Sequence, residues 1–210
     1  MNYSINPNCR LHLDATQAIG KIPVDLSYAD TASFAPHKFY GLKGSGVLYK
    51  KKGIVLEPLI HGGASTTIYR SGTPDAPAAA ALSAALQYAF SEFDDRLQTV
   101  HMLNQKLHAY FAQHDRIRIN SPENAVPHIL NLSVSGMKGE EMRRRLDESG
   151  VCVSVKSACS VPNTPSRAVM AISHDRKNAL SSWRISLSHL TTVQEIEQFT
   201  DILCQIISEG

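Results

Sequence analysis

Several features that would place a chain in other classes of protein are scarce here. The 210 residues include only 4 cysteines, at positions 9, 152, 159 and 204 with no Cys-x-x-Cys spacing, so neither a disulfide framework nor a zinc site is indicated. No secretory leader is read in the first residues, and a reducing, cytoplasmic setting is the expectation. Charge of one sign is missing too: 21 basic residues face 19 acidic ones for a formal net charge of +2. No basic block is longer than Lys50, Lys51 and Lys52, which leaves no electrostatic footprint for nucleic acid. The longest apolar run, 76–90, is about half alanine and is broken by Pro77, Ser83 and Gln87. It falls short of the roughly 20 residues a membrane span needs and reads as a packed helix. What remains is a chain long enough to bury a substantial core, as one large domain or two small ones, with a small-molecule substrate.

The pattern of apolar residues divides the chain. Short runs at 11–14, 31–35 and 46–49, separated by glycine-bearing turns, predict strands of an α/β sheet. Asp75 and Pro77 supply an N-cap and an early proline for the alanine-rich helix, which should end near Glu92. From 94 to 114, Leu97, Val100, Leu103, Leu107, Tyr110 and Phe111 recur every three or four residues and mark one buried helical face. Then follow strands at 117–119 and 129–134, a helix at 139–148, a strand at 151–155, two short helices, a strand at 183–187 and a last helix. Thr192 and Glu195 stand in capping-box spacing at the start of that helix, whose stripe of Ile196, Phe199, Leu203 and Ile206 faces inward. The junction is placed at 91–95, giving domains 1–93 and 94–210.

Two places suggest chemistry. Lys38 follows His37 at the end of a strand and precedes a turn containing Gly41 and Gly44, the setting of a constrained amine or of a surface lysine beside a tight turn. Upstream, strand alternation puts His12 and Asp14 on one face, with Gln17 three residues on. By itself Asp14 reads as a helix-capping residue, half of a His/Asp metal pair, or the acidic partner of a pyridine ring. Of the thiols, Cys152 within a strand and Cys204 on the last helix read as small buried hydrophobes and Cys9 as a terminal thiol. Cys159 differs, because its Ser/Pro/Asn-containing loop gives solvent and a mobile substrate access to it.

Taken together, His12-x-Asp14-x-x-Gln17-x-x-Gly20-Lys21, His37-Lys38-x-Tyr40-Gly41-x-Lys43-Gly44, His61-Gly62-Gly63, Arg70-Ser71-Gly72-Thr73, Ser157-Ala158-Cys159-Ser160 and Trp183-Arg184-Ile185-Ser186-Leu187 resemble the cysteine desulfurases. These belong to the class V aminotransferase group of fold-type I pyridoxal-phosphate enzymes. The resemblance implies an α/β fold, with residues 1–93 the C-terminal part of a cofactor-binding large domain and 94–210 a small α+β domain carrying the cysteine loop. It implies pyridoxal 5'-phosphate held by Lys38, with Asp14 at the pyridine nitrogen, Gln17 at the phenolic oxygen and His37 at the phosphate. Thr73 would reach the phosphate of a neighbouring subunit, so a homodimer is implied. Arg184 would clamp the carboxylate of L-cysteine and Cys159 would accept its sulfur as a persulfide, leaving L-alanine. A sulfur-acceptor protein, serving iron–sulfur assembly or tRNA thiolation, would be the partner. Lys156, three residues before Cys159, could favour the thiolate.

The chain departs from the pattern in places. Ala35 and Pro36 stand where the family has a small hydroxyl residue, removing a phosphate hydrogen bond worth about 1.5–3 kcal/mol. Lys156 replaces a glycine before the cysteine loop. The family's earlier portion, with a phosphate-binding loop and an aromatic stacked on the ring, has no counterpart here. A fragment or split enzyme, an inactive form that dimerises or binds a partner, and another class V enzyme such as a selenocysteine lyase or aminotransferase all remain open.

Overall fold

A computed structural model describes residues 6, 9–63, 67–156 and 164–209. The chain forms two compact units, Met1–Phe93 and Asp94–Gly210.

In the first unit, β1 (His12–Asp14) runs parallel to β2 (Thr31–Phe34), and β3 (Val47–Lys50) lies antiparallel on the other side of β2. A 3₁₀ turn, Pro36–Lys38, follows β2 after Ala35. Proline suits its first position, where a missing N–H leaves no bond unmade. The Pro36 carbonyl accepts from the N–H groups of Phe39 (2.9 Å) and Gly41 (2.8 Å). Gly41 is required there, because a Cβ would lie 2.6 Å from the Pro36 Cβ and 3.0 Å from that of Ala85. Helix α1 (Ala76–Ser91) is capped by Asp75, whose carboxylate accepts from the Ala78 N–H. Buried Ala15, Ile19, Phe39 and Ala89 form a small core that ties the turn after β1, the segment after β2 and α1 together.

The second unit is built on an antiparallel sheet of β4 (Ile117–Ile119), β5 (Ile129–Val134) and β6 (Ser182–Ser186), in that order. Alternation sorts its faces. Leu130, Leu132, Val134, Trp183 and Ile185 point into a core shared with α2 (Phe93–Phe111), α3 (Gly139–Glu148) and α6 (Val193–Ser208). Trp183 is fully buried and meets Phe199 edge-on, with ring centroids 6.2 Å apart. The capping box of α6 forms as the spacing predicts: Thr192 Oγ1 accepts from the Glu195 N–H (3.1 Å) and Glu195 Oε2 from the Thr192 N–H (2.7 Å).

Residues 151–155 depart from expectation. They form no strand and contribute one bridge, Ser154 with Arg184, at the edge of β6. The three valines that suggested a strand, Val151, Val153 and Val155, are instead partly buried against the core. The two short helices expected beyond are α4 (Arg167–Ser173), capped by Ser166, and α5 (Arg176–Ser181), capped by Asp175.

Candidate functional site

In the first unit the chemistry-bearing residues gather at the C-terminal end of the β1–β2 pair, the end of a parallel pair where α/β proteins bind ligands. His12 and Asp14 share the exposed face of β1, while Leu13 packs against the apolar cluster. The His12 ring spans to β2, with Nδ1 2.8 Å from Thr31 Oγ1 and Nε2 3.1 Å from Ser33 Oγ. Asp14 Oδ1 accepts from the Thr16 N–H at 3.0 Å. The Thr16 hydroxyl and N–H, with the charge of His12 adding, hold this carboxyl below its ordinary 3.8. Asp14 thus caps a turn, where the sequence offered a helix cap, and the carboxylate stays exposed and anionic. Gln17 lies on the next turn, exposed, with Oε1 accepting from Lys21 Nζ (3.2 Å). Among the described residues no three His, Cys, Asp or Glu side chains gather as metal ligands.

Lys38 ends the 3₁₀ turn and is half-buried, and His37 before it is exposed. Phe39 anchors the turn: it is buried with Ala15 and Ile19, the residues that flank Gln17. One core cluster therefore seats both the Gln17 turn and the Lys38 turn. Thr73 is exposed ahead of α1. Just upstream, the Ser71 hydroxyl donates to the His61 carbonyl at 2.8 Å and its N–H to that of Ile60 at 3.2 Å, fixing 60–61 beside 71.

In the second unit, Arg184 projects from the outer face of β6 into a cavity of about 970 Å³, which Asn120, Asn131, Lys156, Pro165 and Arg167 also line. Its Nε is buried, and its guanidinium has no hydrogen-bond or ion-pair partner among the described residues. Lys156 Nζ donates to the Thr164 carbonyl (2.8 Å) and hydroxyl (3.3 Å), so its ammonium sits beside Thr164. Cys159 lies outside the described residues.

The reading of two other thiols needs correction. Cys152 and Cys204 are exposed. Cys152 falls on a segment that is no strand, and Cys204 on the outward side of α6, next to buried Leu203 but off the stripe. Sequence reasoning also passed over Asn120 and Asn131. The signal was present: Asn131 and Ser133 are the polar positions alternating with Leu130, Leu132 and Val134.

The family model described as aminotransferase class-V matches residues 3–199. The chain belongs to that family. Among class V relatives, it is 35% identical over 207 residues to the cysteine desulfurase IscS of Dictyoglomus turgidum, covering 94% of this chain and 52% of that one. It is 38% identical over 192 residues to the cysteine desulfurase IscS of Serratia proteamaculans, covering 89% and 47%. In three dimensions it matches a NifS-like protein with a TM-score of 0.87 at 31% identity, over 99% of this chain and 55% of that one. The chain thus spans about half the length of the curated relatives it matches. The expected fold, a partial α/β chain of the fold-type I class, is the one found. No helix among the described residues is long and apolar enough to cross a membrane.

Proposed function

We propose that this chain carries part of the active site of a pyridoxal-phosphate-dependent cysteine desulfurase, converting L-cysteine to L-alanine and passing sulfur through Cys159 to an acceptor protein. The observation that carries the reading is Arg184: a guanidinium with a buried Nε, facing a cavity and unmatched by any acid among the described residues. An unpaired planar fork of donors in such a place suits a carboxylate, which it can bind in two places at once.

The residues of the first unit fit the cofactor. An acid held anionic by Thr16, an amide at Gln17 and a half-buried amine at Lys38 stand at one end of the parallel pair. Asp14 would keep the pyridine nitrogen protonated, Gln17 would donate to the phenolic oxygen, Lys38 would hold the aldehyde carbon, and His37 would meet the phosphate. When bound, pyridoxal phosphate supplies an electron sink for the pair left on the substrate carbon. Freed when the substrate amine takes its place, Lys38 Nζ would remove and return the proton at the substrate α-carbon. Cys159 Sγ, as thiolate, would attack the substrate sulfur; an S–S bond forms, the Cβ–S bond breaks, and its electron pair stays with the β-carbon, whose protonation gives the methyl group of alanine. The persulfide left on Cys159 is the form handed on.

A homodimer, with Thr73 directed at the neighbouring subunit's phosphate, belongs to the same proposal. The first unit exposes Val55 (91%), Leu59 (96%) and Ile68 (71%), which supports its completion by further polypeptide, a second subunit or the portion that the longer relatives carry.

The visible-absorbance spectrum of the chain with added pyridoxal phosphate and L-cysteine tests the reading. Lys38→Ala should abolish the protein-bound absorbance band. Cys159→Ala should keep the band and lose alanine release, and full turnover in that variant would remove Cys159 from the mechanism.

A further inference from the structure

Building on the reading of Arg184 as a carboxylate ligand, we propose that Asn131 supplies a second donor to the same carboxylate through its amide Nδ2. We infer too that a one-way chain of hydrogen bonds sets which end of that amide faces the cavity. Asn131 and Arg184 are register partners on β5 and β6, so their side chains leave the same face of the sheet as nearest cross-strand neighbours. Both line the cavity.

The direction of the chain follows from hydrogen-bond polarity. It starts at the main-chain carbonyl of Asn178, which can only accept. Ser133 Oγ gives its single hydrogen to that carbonyl at 3.1 Å. The same Oγ must therefore accept from its other neighbour, Asn120 Nδ2, at 2.7 Å. This orients the Asn120 amide, whose oxygen faces the other way and accepts from Asn178 Nδ2 at 2.8 Å. Asn120 Nδ2 also lies 2.9 Å from the Asn131 side chain, so the Asn131 atom it meets is the oxygen. Ser133 and Asn178 are buried, and reversing an amide would set donor against donor at Asn120 or Asn131 and acceptor against acceptor at Asn178, leaving hydrogen bonds of the chain unmade. The Asn131 Nδ2 group is left turned away from Asn120, with no acceptor among the described residues. Main-chain bonds hold Asn131 in place: its N–H donates to Ser121 Oγ (2.9 Å) and its carbonyl accepts from the Asn120 N–H (2.8 Å).

The outcome is a charged donor and a neutral donor side by side. A carboxylate offers an acceptor oxygen to each. A primary carboxamide offers only one oxygen and presents an NH2 group to a donor, so the pair should select acids over their amides. Asn120, Ser133 and Asn178 are positioning residues in this scheme.

The test is titration of the full 210-residue chain with L-alanine and, separately, L-alaninamide, followed by ¹⁵N–¹H spectra. The Asn131 NH2 pair is assigned by its loss in Asn131→Ala. The pair and the Arg184 Nε–H should shift with L-alanine at one shared midpoint and stay still with L-alaninamide. Asn131→Ala should weaken L-alanine binding about tenfold or more, the effect of one hydrogen bond to a charged acceptor. The wild-type titration stands even if that variant folds poorly. Movement of Arg184 alone, with Asn131→Ala binding as wild type does, would overturn the role of Asn131 and spare that of Arg184. Stillness of both resonances would overturn the two together, and equal shifts with the amide would overturn the selectivity.

Discussion

Replacing Gly139 by alanine tests how closely the second unit is packed around the strand that carries Arg184. Gly139 is the first residue of α3 and is buried against β6. An added Cβ would lie 2.4 Å from the Ser182 carbonyl oxygen, 3.1 Å from its carbon and 3.3 Å from Val155 Cγ1. The nearest atom is backbone, in a fully buried residue that β5 holds in register, so α3 has to give way. Relief needs a displacement on the order of 1 Å, which loosens Met142 and Leu146, both fully buried, from the core. Overpacking of this kind costs about 1–3 kcal/mol. Against it stands a gain of at most about 1 kcal/mol from replacing glycine in a helix. Setting the middle of the first range against the whole of the second, the net expectation is a loss of about 1 kcal/mol, a fall of about 2–4 °C in Tm in a chain of this size. Urea unfolding followed by fluorescence measures it directly, since the 1 tryptophan of the sequence is Trp183, in the middle of this core. Gly53→Ala is the control, because a Cβ there meets nothing within 4 Å. A Gly139→Ala protein as stable as the wild type would refute the reasoning.

Leu132→Ala should destabilise the same unit by about 3–5 kcal/mol, since the side chain is fully buried between helices and sheet, and a loss under about 1 kcal/mol would show that the core collapses around the gap. Thr192→Ala should cost about 1 kcal/mol in the same unfolding experiment by removing the cap of α6, and Thr192→Ser should restore most of it. Hydrogen bonds from Arg144 and Arg145 lower the Glu141 carboxyl from 4.5 to about 2. A folded-state value below the unfolded one stabilises the protein fully above the ordinary 4.5, and the contribution disappears as the pH falls toward about 2. The group is exposed, so the effect is small. The stability difference between wild type and Glu141→Gln should therefore shrink across that window in acid titrations monitored by circular dichroism, and a constant difference would contradict the pairing.

Most of the element order was readable from periodicity. Helices at 76–91 and 193–208 begin where Asp75 and the Thr192–Glu195 box place them, and the helix at 139–148 has the bounds read from the sequence, because caps and apolar stripes are local and act within a turn or two. The segment 151–155 was misread for a related reason. Its valines alternate as in a strand, but only Ser154 reaches β6, and a side-chain pattern does not report whether a neighbouring backbone is within reach. The same limit applied to Cys152 and Cys204, whose exposure depends on what packs beside them.

By itself, the order of residues determined the period of each element, the caps, and the motifs of Asp14, Gln17, His37, Lys38, Thr73, Cys159 and Arg184 that point to the family. Tertiary structure decided the rest. It set Arg184 opposite Asn131, and it brought Asn120 and Asn178, 58 positions apart, within 2.8 Å. The physical reason is that hydrogen-bond polarity and cross-strand register arise between segments distant in sequence, and exist only once the sheet has closed.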